Sequence, residues 1–120
     1  MPNTRKKAEK RGRNAELLAR IYLRLKGYRI LAHRFRSPYG EIDIIAKRGK
    51  TLVFVEVKAR KSVDDALYSI AYKQRRRIEA ASEDWLKKHK PVFKSIRFDI
   101  IAVASGILPT HIHGAWRLGE

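Results

Sequence analysis

Apolar positions recur along the chain in two rhythms, and the changes of rhythm mark the elements. Leu18, Ile21, Tyr22 and Leu25 fall at helical spacing, so a first helix is expected over about 14–26, with Gly27 as its stop. A strand is expected over about 28–36, closed by a turn at Ser37-Pro38-Tyr39-Gly40. The next segment alternates: Glu41, Asp43 and Ile45 share one face, Ile42, Ile44 and Ala46 the other. Lys47-Arg48-Gly49-Lys50 reads as a hairpin turn. Residues 51–60 read as a long β-branched strand, with Val53, Val55, Val57 and Ala59 opposite Leu52, Phe54, Glu56, Lys58 and Arg60. Residues 62–65 are loop-like. A second helix, capped by Ser69 and reaching about Lys88, is expected to bury Ile78, Ala81 and Trp85, with Pro91 marking its end. Residues 96–103 read as a buried strand. A strand, a helix and a strand in series imply a right-handed crossover into the same sheet. From Ser105 onward a tail is expected, ending in a short strand near Trp116. The predicted class is α/β, a small mixed β-sheet flanked by helices, with 14–120 as one domain behind a basic arm at 1–13.

Composition narrows what such a domain does. At 120 residues, with 44% hydrophobic and 33% charged side chains, the chain supports one core and is not wholesale disordered. The absence of Cys excludes a disulfide framework, thiolate-bound zinc and a thiol nucleophile, and it fits a cytoplasmic protein. No apolar run is long enough to span a membrane, and no apolar stretch follows the basic N-terminus as a signal peptide requires, so no membrane partner is expected. The net charge is +16, and residues 1–40 carry 12 basic against 2 acidic side chains. That balance points to a polyanionic partner, nucleic acid first.

The hairpin brings chemistry together. A two-residue loop at Arg48-Gly49 pairs Asp43 with Phe54 and Glu41 with Glu56, leaving Asp43 diagonal to Glu56 at about 7–8 Å. Lys58, two residues on, projects from the same face. Two carboxylates so placed can converge on one hard cation. From spacing alone, an exposed Glu–Lys ladder is the more expected arrangement.

The residues themselves go further. Gly40-Glu41-Ile42-Asp43, then twelve intervening residues, then Glu56-Val57-Lys58, is similar to the Asp…Glu-x-Lys pattern of restriction-endonuclease-like nucleases. With Glu16, the Tyr28-Arg29-Ile30-Leu31 string, GEIDIIA at 40–46, LVFVEVKAR at 52–60, Lys73-Gln74 and Arg97-Phe98-Asp99, the chain resembles the YraN family of bacterial endonuclease-like proteins over about residues 12–104. That family is distantly similar to archaeal Holliday-junction resolvases. The resemblance implies a restriction-endonuclease-like sheet and a metal-dependent DNA endonuclease acting on branched or structured DNA. It implies that Asp43, Glu56 and the Val57 carbonyl hold Mg²⁺ or Mn²⁺. Lys58 would orient or deprotonate the attacking water, Glu16 would complete the site, and Gln74 would orient Lys58 or the water. Resolvase relatives work as symmetric dimers, so a homodimer is one assembly the resemblance allows, while the sequence itself does not reveal the oligomeric state. The chain departs from the family pattern at Ala15, where Gly is frequent, and at His33, where Asn is common.

Other features carry less. Glu16 falls nearly opposite the Leu18–Tyr22–Leu25 stripe, where a solvated glutamate is also expected. Candidate DNA contacts are Lys6, Lys7, Arg11 and Arg13 on the arm, with Arg36, Arg60, Lys73 and Arg76 beyond it. His111 and His113 alternate but lie in the tail with no carboxylate nearby in sequence until Glu120, so solvated residues are expected there. Trp85 is expected in the core rather than as a base-stacking platform. The competing function is a non-catalytic nucleic-acid-binding module, or an accessory subunit, that keeps the nuclease fold.

Overall fold

The computed structural model describes residues 4–60, 64, 66, 70–104 and 108–120. The elements run α1 (Thr4–Leu25), β1 (Arg29–Arg36), β2 (Glu41–Arg48), β3 (Thr51–Lys58), α2 (Tyr72–His89), β4 (Ser95–Ala102) and β5 (Thr110–Trp116). The five strands form one sheet in the order β1-β2-β3-β4-β5. β3 and β4 are parallel and the other pairs antiparallel. The mixed sheet follows from the connections. Tight turns join β1, β2 and β3, whereas the helical crossover returns β4 alongside β3 in the same direction.

Alternation along β3 sends side chains to two separate cores. Leu52 and Phe54 join Ile45, Phe98, Ile100 and Trp116 beneath Ile78, Ala81 and Trp85 of α2. Val53 and Val55 join Ile44, Ala46 and Ile101 beneath Ala15, Ala19 and Leu23 of α1. One helix therefore covers each face of the sheet, the expected α/β, restriction-endonuclease-like arrangement. Trp85 is buried in the core against Phe54, as expected.

Three expectations need correction. The first helix begins at Thr4, so described residues that were assigned to a basic arm form its first turns. Its buried stripe is also different. Ala15, Ala19 and Leu23 face the sheet, while Leu18, Ile21 and Leu25 stay 44–83% exposed. Two alanines let the helix lie close to the β-branched surface, which the larger side chains prevent. The hairpin turn is Gly49-Lys50, with Gly49 at φ 61°, so Arg48 pairs with Thr51 and Ile45 with Phe54. This differs from the expected register by a slip of two residues. An even slip keeps Ile44, Ile45 and Ala46 on their expected faces, whereas a slip of one would have inverted them. The proposed Ser69 cap, Ser62, Val63 and Asp65 of the loop, and Ser105 at the start of the tail lie outside the described residues.

Candidate active site

The β2–β3 ladder runs from Arg48↔Thr51 to Ile44↔Val55, and there it stops. In the next position the Asp43 carboxylate, not its backbone, accepts the Val57 N–H at 2.8 Å. The side chain acts as a wedge between the strands. Alternation in β2 breaks at the same point, since Ile42 and Ile45, three residues apart, lie in the same core. The splayed ends open a cleft of about 640 Å³, lined by Glu16, Asp43, Glu56, Val57, Lys58, Lys73, Gln74 and Arg77. β2 and β3 supply the carboxylates and Lys58, α1 supplies Glu16 from one face of the sheet, and α2 supplies Gln74 from the other.

Glu56 is the most perturbed group in this cleft. It is 6% exposed. Burial, then the hydrogen bond and charge of Asp43, push its carboxyl up to about 10, with Lys58 offsetting part of the effect. Gln74 Nε2 donates to Glu56 Oε2 at a long 3.4 Å. Burial likewise raises the Glu16 carboxyl. The Arg34 guanidinium, 2.8 Å from Glu16 Oε2, opposes that rise, and the Asp43 carboxylate in the same cleft adds to it. Asp43 thus sits between two carboxyl groups. In a strand the N–H and C=O of one residue leave on the same side. The Val57 carbonyl accordingly faces the β2 edge with its N–H, while the Lys58 carbonyl faces β4 and accepts the Val103 N–H at 2.9 Å. Among the described residues no three His, Cys, Asp or Glu side chains form a ready cation cage.

Gly40 explains how α2 reaches this cleft. A Cβ there would lie 3.0 Å from both the Cβ and the carbonyl oxygen of Arg77, so a larger residue would push the β1–β2 turn and the helix apart by a few tenths of an ångström. Arg77 belongs to the Arg75-Arg76-Arg77 run, from which sequence put forward Arg76; it is Arg77 that follows Lys73 by four residues and Gln74 by three, the spacing of one helix face. Arg34 was missed from sequence, and no local signal announces it.

The remaining candidates are dispersed. Lys73 lines the cleft, and Glu41 sits on its wall. Lys7 and Arg11 line an apolar-floored groove of about 680 Å³ that adjoins the cleft through Ala15 and Ala59. Lys6 and Arg13 are exposed on α1. Arg36 is exposed and 3.5 Å from Glu41. Arg60 is exposed and donates to its neighbour's Ala59 carbonyl. Arg76 is engaged elsewhere: it pairs with Glu79 at 2.8 Å, reaches the Glu120 backbone carbonyl and lies over the Tyr72 ring.

His111 is the clearest correction outside the cleft. Its side chain is 1% exposed, and Nε2 lies 2.6 Å from Asp99, which is fully buried. Asp99 also receives Arg97 through Nε and Nη2 and the Gly114 N–H, all at 2.8 Å. Burial alone would raise the Asp99 carboxyl; the bonds from His111, Arg97 and Gly114 outweigh it and hold the group below its usual range. Pairing of β4 with β5 supplies the carboxylate that the linear sequence places twelve residues away.

Comparison with known proteins agrees with the motifs. Residues 15–103 match the model of Uncharacterised protein family UPF0102. A UPF0102 protein of Nitrobacter winogradskyi is 52% identical over 107 residues, covering 88% of this chain and 90% of the relative. One from Rhizobium meliloti is 49% identical over 117 residues, covering 96% of each chain. One from Mesorhizobium japonicum is 48% identical over 114 residues, covering 94% of this chain and 91% of the relative. The match extends from the turn of α1 bearing Glu16, through the wedge at Asp43, to the end of β4, and the chain belongs to family UPF0102, the YraN family its motifs resemble.

Proposed function

We propose that this protein is a metal-dependent DNA endonuclease of the Asp…Glu-x-Lys type, hydrolysing phosphodiester bonds in branched or otherwise structured DNA. The observation that carries the reading is the wedge at Asp43, which gathers Asp43, Glu56, Val57 and Lys58 at one opening of the sheet. An exposed Glu–Lys ladder is a poor account of that opening, because Glu56 is buried beside a second carboxylate.

The donor set suits a hard cation. Asp43 and Glu56 would hold Mg²⁺ or Mn²⁺ together with the Val57 carbonyl, leaving the remaining positions to water, as is usual for Mg²⁺. When bound, the metal supplies Lewis-acid polarisation of a phosphate oxygen and lowers the pKa of water. The protein's own groups do the rest. Lys58 orients the attacking water and offsets charge that builds on the phosphate in the transition state. Gln74 holds the Glu56 carboxylate. Lys73 and Arg77 on the cleft wall take the flanking phosphates. The +16 net charge concentrates DNA at the surface without reading its sequence. A junction carries two scissile phosphates, so the reading calls for a homodimer.

The test is cleavage of linear, single-stranded and four-way-junction DNA in Mg²⁺ and in Mn²⁺. Metal-dependent cutting of a structured substrate is expected. Bound metal and bound DNA without cutting of any form would instead favour a non-catalytic binding module.

A further inference from the structure

We propose that Arg34 is a positioning residue for this cleft, held in a strained backbone conformation so that its guanidinium fixes Glu16 beside Asp43. The assignment rests on the endonuclease reading above. Arg34 lies within β1 and opposite Asp43, between the pairs His33↔Ile44 and Phe35↔Ile42. Its φ is 54°, in the left-handed region that a side chain with a Cβ rarely adopts. The other non-glycine residue with positive φ among those described is Lys90, at the C-terminal cap of α2, where that conformation is ordinary. Inside a strand it persists only when the surroundings impose it. Asn or Gly would fit the backbone better, so its shape alone does not call for arginine.

The side chain supplies the reason. Arg34 Nε donates to Glu16 Oε2 at 2.8 Å, across from β1 to α1. Glu16 is the less exposed partner, at 18% against 39% for Arg34. It lines the same cleft as Asp43, a group of the same charge type. Without a cation on its outer side, Glu16 would gain by swinging toward water. Arg34 supplies that cation, and the irregular strand sets the guanidinium at the height of Asp43.

Arg34→Gly separates the side chain from the backbone, because glycine accepts the same φ. The variant is expected to melt no lower than the wild type. Mn²⁺ affinity by calorimetry is expected to stay equal or rise, since a nearby positive charge is gone. The turnover number on junction DNA is expected to fall at least about tenfold, as for a lost transition-state contact, with KM within about threefold. Glu16→Gln should be no worse when Arg34→Gly is added, because each change removes the same ion pair. Guanidinium ion at low millimolar concentration should restore part of the rate to Arg34→Gly and none to Glu16→Gln. A merely structural role predicts lower melting with metal affinity and rate falling together, and that result overturns the assignment. Additive effects of the two substitutions, or wild-type turnover in Arg34→Gly, overturn it as well and leave the endonuclease reading standing. A wild type that binds Mn²⁺ yet cuts no DNA removes both.

Discussion

Asp43 accepts the backbone N–H of Val57 at 2.8 Å, and that bond replaces the ladder where β2 and β3 part. Asp43→Asn keeps an amide oxygen for Val57 and removes the charge. It is expected to keep or raise the melting temperature, to abolish calorimetric Mn²⁺ binding, and to leave DNA affinity equal or tighter. Asp43→Ala also loses the bond and should be less stable than Asp43→Asn by about 0.5–1.5 kcal/mol, the usual net worth of a hydrogen bond between neutral groups. Unchanged Mn²⁺ affinity in Asp43→Asn would reduce the carboxylates to a surface ladder.

Glu56 gives the protein a pH signature. Its carboxyl is raised from 4.5 to about 10, so the folded state holds a proton that the unfolded state has released. The associated stability is complete below about pH 4.5 and is lost as pH rises toward 10. Glu56→Gln is therefore expected to raise the melting temperature at pH 8 and to flatten its decline across that window. Mn²⁺ must displace the same proton, so metal binding in the wild type should tighten with pH and release protons to buffer. Equal proton release by Glu56→Gln would show that another group is being titrated.

Lys58 separates a nuclease from a binder. Lys58→Met keeps much of the stem. Cleavage in Mn²⁺ is expected to fall about 10²–10³-fold, with DNA affinity changed less than about tenfold. Equal losses in filter binding and in cleavage would make Lys58 a phosphate contact.

The charge of the chain should appear as salt dependence. If about six phosphates are neutralised, log K falls with log[salt] at a slope near −5. Deleting residues 1–11 should flatten that slope while cooperative melting persists, because Ala15, Ala19 and Leu23 hold α1 to the sheet.

Asp99 is expected to matter for stability rather than for cutting. Asp99→Asn places an amide N–H among the donors from Arg97, His111 and Gly114, and should cost about 3–5 kcal/mol in chemical denaturation, as breaking buried ion pairs does. Because the Asp99 carboxyl is held below 3.8, the wild type loses this contribution as pH falls below that value. A variant as stable as the wild type at pH 7 would contradict the network.

Much of this architecture is written in local sequence. Alternation in β3 fixed which of its side chains share the Glu56 and Lys58 face, because a strand has a period of two wherever it lies. Ile78, Ala81 and Trp85 marked the buried side of α2 by spacing alone. Asp43, Glu56 and Lys58 could be named because the hairpin keeps them within sixteen residues and an even slip in register does not change a face. Other features depend on surfaces that meet only after folding. Helical spacing pointed to the Leu18, Ile21, Tyr22 and Leu25 stripe on α1, whereas the β-branched sheet took Ala15, Ala19 and Leu23, because two alanines allow closer approach. Glu16 reaches the cleft through that choice, since the stripe that wins sets the rotation of the helix. The wedge at Asp43, the left-handed backbone at Arg34 and the burial of His111 on Asp99 each join residues from different elements. Periodicity describes one element at a time, so it determined the faces of this protein, whereas packing between elements decided what stands across the cleft.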